Sequence, residues 1–343
     1  MNMNINNLNK MNWSNIIVTM VLLFGVGLIY DKFKSGMNNM EKGSDLTLVK
    51  QYLLGGNNEN EILDLGKIKK PIIWVHIEYN YNSRNWCNFG SRSSTELNMP
   101  YIYLTIQSII NNCGKDFHVC LIDDFTFNKI LPDYNVDLTR VSDPVKKHLR
   151  NVALLKVLHM YGGVLMENSF ICLKSIKPLY DKILQSNKPS VGEFVNNANN
   201  NDLEVFAPSM KLIGCLRECP TIQTFIEYLE QLNNRDFTSE QDFNGTVGEW
   251  LAENIKNRTV NLISSEQIGT IANNNPVTID TLLTNDTLTL SSNAYMLYIP
   301  RDEILKRTRY NWIAKLDPEQ VLNSNTNLGK YLILSSNYSN TFI

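Results

Sequence analysis

Leu158-His-Met-Tyr-Gly-Gly-Val-Leu-Met-Glu-Asn-Ser-Phe170 reads as a helix end, a stop and the start of a strand. Upstream, Asp143-Pro144 is a helix start, an N-cap residue followed by proline in the first turn. Apolar Leu149, Val152, Leu155 and Leu158 then return at helical spacing up to His159. Tyr161-Gly162-Gly163 ends that helix, because glycine reaches left-handed backbone conformations that other residues avoid. Val164 to Leu173 follows as one strand with Glu167, Asn168 and Ser169 in its middle. Polar groups inside an apolar strand need partners to be buried, so the interruption is either a bulge turned to solvent or a site.

Two apolar runs lie further out. Ile72-Ile-Trp-Val-His-Ile77 and Phe117-His-Val-Cys-Leu-Ile122 have strand length, and Asp123-Asp124 ends the second. Pro100 to Asn111 between them reads as a helix, so the order strand, helix, strand is a βαβ unit. It implies an α/β fold with a parallel sheet and sites at the carboxyl ends of the strands. Downstream, Ile176 to Leu184, Ile222 to Leu232, Val247 to Ile255, Ile304 to Ala314 and Pro318 to Leu334 read as helices. No internal repeat is present.

The uncharged stretch Ile16 to Tyr30, with Trp13 before it and Asp31-Lys32 after it, has about the minimum spanning length. The region ahead of it is rich in asparagine, and the small-residue cleavage pattern of a signal peptide is missing. A retained single-pass anchor over residues 15–30 is therefore expected. Charge does not orient it, since Lys10 flanks one side and Lys32 and Lys34 the other. Residues 1–14 form a polar tail, 15–31 the anchor and 32–69 a polar stem with a short helix near Leu46 to Leu54. Residues 70–315 form the globular domain, and 316–343 a final helix and tail.

With 343 residues, 43% of them hydrophobic, the chain has material for a large core. Its 32 Lys plus Arg against 34 Asp plus Glu leave a net charge of -2, so no overall field recruits nucleic acid. The 6 cysteines contain no CxxC, and the 4 histidines do not flank them at zinc-site spacing. Cys113 with Cys120, or Cys215 with Cys219, are near enough in sequence to form local disulfides; buried free thiols are the plainer reading.

The segment 158–170, followed by Leu173-Lys-Ser-Ile-Lys-Pro-Leu179, resembles the core of the superfamily of capsular-polysaccharide-synthesis and fungal initiating mannosyltransferases. The family pattern is S-D-x-x-R-x-x-x-L-x-x-Y-G-G-x-Y-x-D-x-D, then a strand and a K-P-L-like turn into a helix. Ile72 to Ile77 is similar to its first strand and Leu121-Ile-Asp-Asp124 to its second. The likeness runs over roughly residues 70–315 and is strongest at 143–180. A branch in large DNA viruses shares a Phe89-Gly-Ser-Arg-Ser93-like segment and a loss of acidic residues. The resemblance implies a glycosyltransferase type A fold, Rossmann-like, that moves a hexose from a nucleoside diphosphate sugar to a glycan or glycoprotein. It also places the protein on a host endomembrane or a virion membrane.

In that family the D-x-D pair holds Mn²⁺ or Mg²⁺ against the donor diphosphate, its two carboxylates pointing to one face of a strand. Here the two positions are Glu167 and Ser169, and the family's Ser, Asp and Arg fall on Arg150, Asn151 and Leu154. The doubly charged cation would lose the attraction of one carboxylate, about 8 kcal/mol at 4 Å in an effective dielectric of about 20. Metal-dependent transfer is expected to be weakened or lost. Cationic replacements are available in Lys146, Lys147 and Arg150 and in the late run Arg301, Lys306, Arg307 and Arg309, which otherwise form solvated faces.

His76, Asp123, Asp124, Arg150 and Asn151 are the candidate nucleotide-sugar contacts. Against that, His76 on an apolar strand reads more readily as a core histidine, and Asp123-Asp124 reads equally as a turn-starting pair. Trp74, Trp86, Tyr79 and Tyr81 are stacking platforms or core. The loop Arg84 to Arg92 follows the first strand, where a donor would bind. Two functions stay open: a membrane-anchored glycosyltransferase, or a catalytically inactive member of the fold with a structural or binding role.

Overall fold

The computed structural model describes residues 70–78, 99–132, 134–196, 206–235 and 240–337. The expected anchor, stem and helix near Leu46 to Leu54 lie outside them, as do Tyr79, Tyr81 and the loop Arg84 to Arg92. Among the described residues no helix is long and apolar enough to cross a membrane.

In chain order the strands are β1 (Ile72–His76), β2 (His118–Ile122), β3 (Gly163–Met166), β4 (Phe170–Cys172), β5 (Ser190–Val195), β6 (Phe206–Cys215), β7 (Asn261–Ile263), β8 (Ile271–Ala272), β9 (Asn275–Pro276) and β10 (Met296–Tyr298). The helices are α1 (Ile102–Cys113), α2 (Phe127–Ile130), α3 (Val145–Tyr161), α4 (Lys177–Ser186), α5 (Pro220–Leu232), α6 (Glu240–Lys256), α7 (Ser265–Ile268), α8 (Ile279–Leu283), α9 (Arg301–Lys306), α10 (Pro318–Leu322) and α11 (Asn327–Asn337).

A 6-stranded sheet in the order β2-β1-β3-β6-β5-β7 forms the centre. β1 runs parallel to both β2 and β3, which is the βαβ arrangement expected from the two apolar runs. β6 runs antiparallel between β3 and β5, and β7 is parallel to β5, so the sheet is mixed. Helix α3 supplies Val152, Leu155, Val157 and Leu158 to a core shared with Trp74, Ile122 and Leu165 of the sheet and Phe225 and Leu229 of α5. Each such side chain removed from water contributes roughly 1.5–3 kcal/mol. Trp74 is wholly buried and its Nε1 donates to the Gly162 carbonyl at 2.9 Å, which makes it core.

The helix stop works as the Gly-Gly pair suggests. Gly162 has φ 67° and Gly163 φ 103°, and a Cβ on Gly163 would lie 2.2 Å from the Ile72 carbonyl oxygen. β3 can pair closely with β1 only if this position has no side chain.

Several expected elements come out differently. The single strand Val164 to Leu173 is two strands in two sheets. The chain leaves the central sheet at Glu167, and β4 pairs antiparallel with β10, Phe170 opposite Tyr298. The polar triplet is the crossing point. Helix α3 begins at Val145, and Asp143 gives it no side-chain cap; the Lys146 amide is taken by the Ser142 carbonyl instead. Ile304 to Ala314 is not one helix but the end of α9 followed by short 3₁₀ turns at Thr308–Tyr310 and Ile313–Lys315. Pro318 to Leu334 splits into α10 and α11, with the Thr326 hydroxyl accepting from the Gly329 amide at the new helix start. Helix α11 packs on α1 and β4 and so belongs with the globular fold.

Candidate functional site

The carboxyl ends of β1, β2 and β3 lie side by side, and each delivers an acid. Glu78 follows β1, Asp124 follows β2 and Glu167 follows β3. Helix α3 brings Arg150 across them. Its Nε and Nη2 donate to the two Asp124 carboxylate oxygens, both at 2.7 Å, and its Nη1 donates to Glu78 at 3.1 Å. Lys146, one turn earlier, approaches Asp124 at 3.8 Å. His76 Nε2 lies 3.0 Å from the same carboxylate, and its ring stacks on Phe127.

The second guanidinium comes from far along the chain. The β4–β10 ribbon sets the Ile299 amide on the Ser169 carbonyl at 3.0 Å, which places Arg301 beside the residues that leave β3. Arg301 Nη1 donates to Asn168 Oδ1 at 2.9 Å, Nε lies 3.4 Å from Glu167, and Nη2 lies 3.7 Å from Glu78. Asn168 is fixed from the other side, its Nδ2 donating to the His76 carbonyl at 3.1 Å. Lys211 of β6 donates to the Tyr298 hydroxyl at 2.7 Å at the rim of the group.

Three carboxylates (Glu78, Asp124, Glu167) therefore meet three cations (Lys146, Arg150, Arg301) at the strand ends. Burial alone would push the Glu78 carboxyl up, but Arg150 and then Arg301 outweigh it and hold it below the usual range. Asp124 behaves alike: burial opposes ionisation, and the Arg150 and His76 hydrogen bonds overcome it and hold the carboxyl far down. Burial lowers the His76 pKa despite the Asp124 hydrogen bond, so the ring is neutral and donates from Nε2 to an ionised acceptor. Burial is also the main reason the Tyr298 phenol is pushed well up.

The candidate contacts thus separate. His76, Asp124 and Arg150 come together. Asp123 is spent on a turn, its Oδ1 accepting from the Phe125 and Thr126 amides and the Thr126 hydroxyl. Asn151 is half-buried and makes none of the cluster's hydrogen bonds. Of the late basic run, among the described side chains, only Arg301 enters; Arg307 pairs with Glu303 and Arg309 with Asp280 at the surface. Nothing is described of the Lys306 side chain. Glu78, Lys211 and Tyr298 were not legible as site residues. Glu78, two positions past His76, carried the one available signal, because alternate residues of a strand share a face.

The residues at the altered D-x-D positions do not fit a divalent cation. Glu167 is already paired with Arg301, and the second position is the neutral, fully buried Ser169 hydroxyl, so no second carboxylate is offered there. Among the described residues no group of three or more His, Cys, Asp or Glu side chains is placed to hold a metal.

No protein-family model matches the chain, and no curated protein matches it. Among solved structures it is similar to one titled PaToxG glycosyltransferase, with a TM-score of 0.32 and 13% identity over 63% of this chain and 79% of that one. A likeness at that level fixes neither fold family nor chemistry.

Proposed function

We propose that the protein is a glycosyltransferase that takes a hexose from a nucleoside diphosphate sugar without a metal ion, held to an endomembrane or virion membrane by residues 15–30. One observation carries this reading: the Arg301 guanidinium sits between Glu167, Asn168 and Glu78 at the carboxyl ends of parallel strands. In an open α/β sheet that is where ligands bind. By the sequence resemblance it is also where a cation would meet the donor diphosphate. A guanidinium held by carboxylates is a fixed positive centre, and its planar fork suits phosphate oxygens. Its 18% exposure leaves an edge for them. When the sugar departs, charge builds on the diphosphate, and a preorganised cation stabilises it.

The near balance of charge in the cluster favours a second reading, an inactive member of the fold that uses this cleft for binding or structure. A screen of nucleoside diphosphate sugars for binding and hydrolysis, in chelator and in Mn²⁺, separates the two. Metal-independent turnover supports the enzyme. Binding without turnover supports the inactive module.

A further inference from the structure

We propose that Lys211 is a second phosphate contact of this site, its ammonium and the Arg301 guanidinium each taking one phosphate of a diphosphate. The inference rests on the glycosyltransferase reading and adds to it a residue that no sequence motif marks. Lys211 belongs to β6, and its carbonyl accepts from the Glu167 amide at 2.9 Å. Its backbone is therefore joined directly to the residue that pairs with Arg301.

The side chain is held in place by aromatic groups. Its Nζ donates to the Tyr298 hydroxyl at 2.7 Å and lies 4.8 Å from the centre of the Tyr298 ring and 5.7 Å from that of Phe194. Those rings are buried and fixed: Phe194 meets Tyr298 edge to face at 4.9 Å, and Phe170 packs on Tyr298 at 5.1 Å. Tyr298 ends β10, and Arg301 begins α9 three residues later. The ribbon that delivers the guanidinium thus also delivers the phenol that holds the ammonium.

Charge is unbalanced at this point. Lys146 and Arg150 face Asp124 and Glu78, and Arg301 faces Glu167 and Glu78, whereas Lys211 makes no ion pair among the described residues. Of its three N–H donors it spends one, on a neutral phenol that burial keeps protonated. The aromatic faces attract the cation without neutralising it. A half-buried cation with donors to spare and no counter-ion is completed by an anion. A compact ammonium suits a single phosphate oxygen and a planar guanidinium suits two, and a diphosphate offers an anionic group to each.

The test titrates the full chain in detergent, in chelator, with inorganic pyrophosphate and a panel of nucleoside diphosphates. Lys211→Met keeps an unbranched stem against the rings and removes the charge. It should weaken whatever the unsubstituted protein binds by roughly tenfold or more, the loss of one hydrogen bond to a charged group. In the unsubstituted protein the same ligand should shield Lys211 from acetylation while exposed Lys182 still reacts, a measurement that decides the matter if Lys211→Met does not fold. Equal affinity in folded Lys211→Met, or a Lys211 that acetylates as fast with ligand as without, overturns this inference and leaves the glycosyltransferase reading standing. Absence of binding to the unsubstituted protein overturns both.

Discussion

Arg150 grips Asp124 through two parallel hydrogen bonds of 2.7 Å, and the pair ties helix α3 to the carboxyl end of β2. Arg150 is 7% exposed and Asp124 16%, so neither charge can fall back on water if the other is removed. Removing one partner of a buried pair typically costs about 3–5 kcal/mol where the other charge is left uncompensated. Asp124 would keep Lys146 at 3.8 Å and the His76 hydrogen bond, so the lower end of that range applies. Arg150→Ala should destabilise by that order in chemical denaturation. Arg150→Lys should lose less, because it keeps the charge but not the two-pronged geometry.

Stability should fall as the medium is acidified, in two steps. His76 is held below its usual 6.5 by burial, so as pH drops under 6.5 the unfolded chain takes up a proton before the folded one and stability declines. Asp124 and Glu78 have depressed folded values, so their contribution is present above the ordinary carboxylate range near 4 and is lost below it. Thermal melts across this range should show both steps, and His76→Gln should remove the first while leaving the second.

Two glycines should respond in opposite senses to alanine. At Gly163, with φ 103° and a Cβ position 2.2 Å from the Ile72 oxygen, alanine should destabilise by more than about 1 kcal/mol. At Gly248, inside α6, the nearest atom to a Cβ is the Pro208 oxygen at 3.8 Å, so alanine should stabilise by up to about 1 kcal/mol. Denaturation midpoints of the two variants check this.

The sequence showed most clearly what depends on local pattern. The apolar runs at 72–77 and 117–122 and the Gly-Gly stop are read from a few adjacent residues, and they give the parallel part of the sheet directly. The antiparallel strands were missed. β6 begins Phe206-Ala-Pro-Ser-Met-Lys with half-buried side chains throughout, so it lacks the continuous apolar stretch that marks β1. The site was legible in halves. Asp124 and Arg150 could be named because a strand end and a motif position point to them. The pairing of Glu167 with Arg301 spans more than a hundred residues and depends on the β4–β10 ribbon, which no local pattern announces. Reading 164–173 as one strand hid the crossing that makes this pairing.

The central claim is that Arg301 stands where a metal ion would otherwise meet the donor. Calorimetric titration of the purified protein with nucleoside diphosphate sugars, in chelator and then in Mn²⁺, tests it most directly. Binding should be the same in both conditions and should be lost in Arg301→Ala. Binding that requires Mn²⁺ and disappears in Glu167→Ala would contradict the claim, and absence of binding at millimolar sugar nucleotide in either condition would contradict it as well.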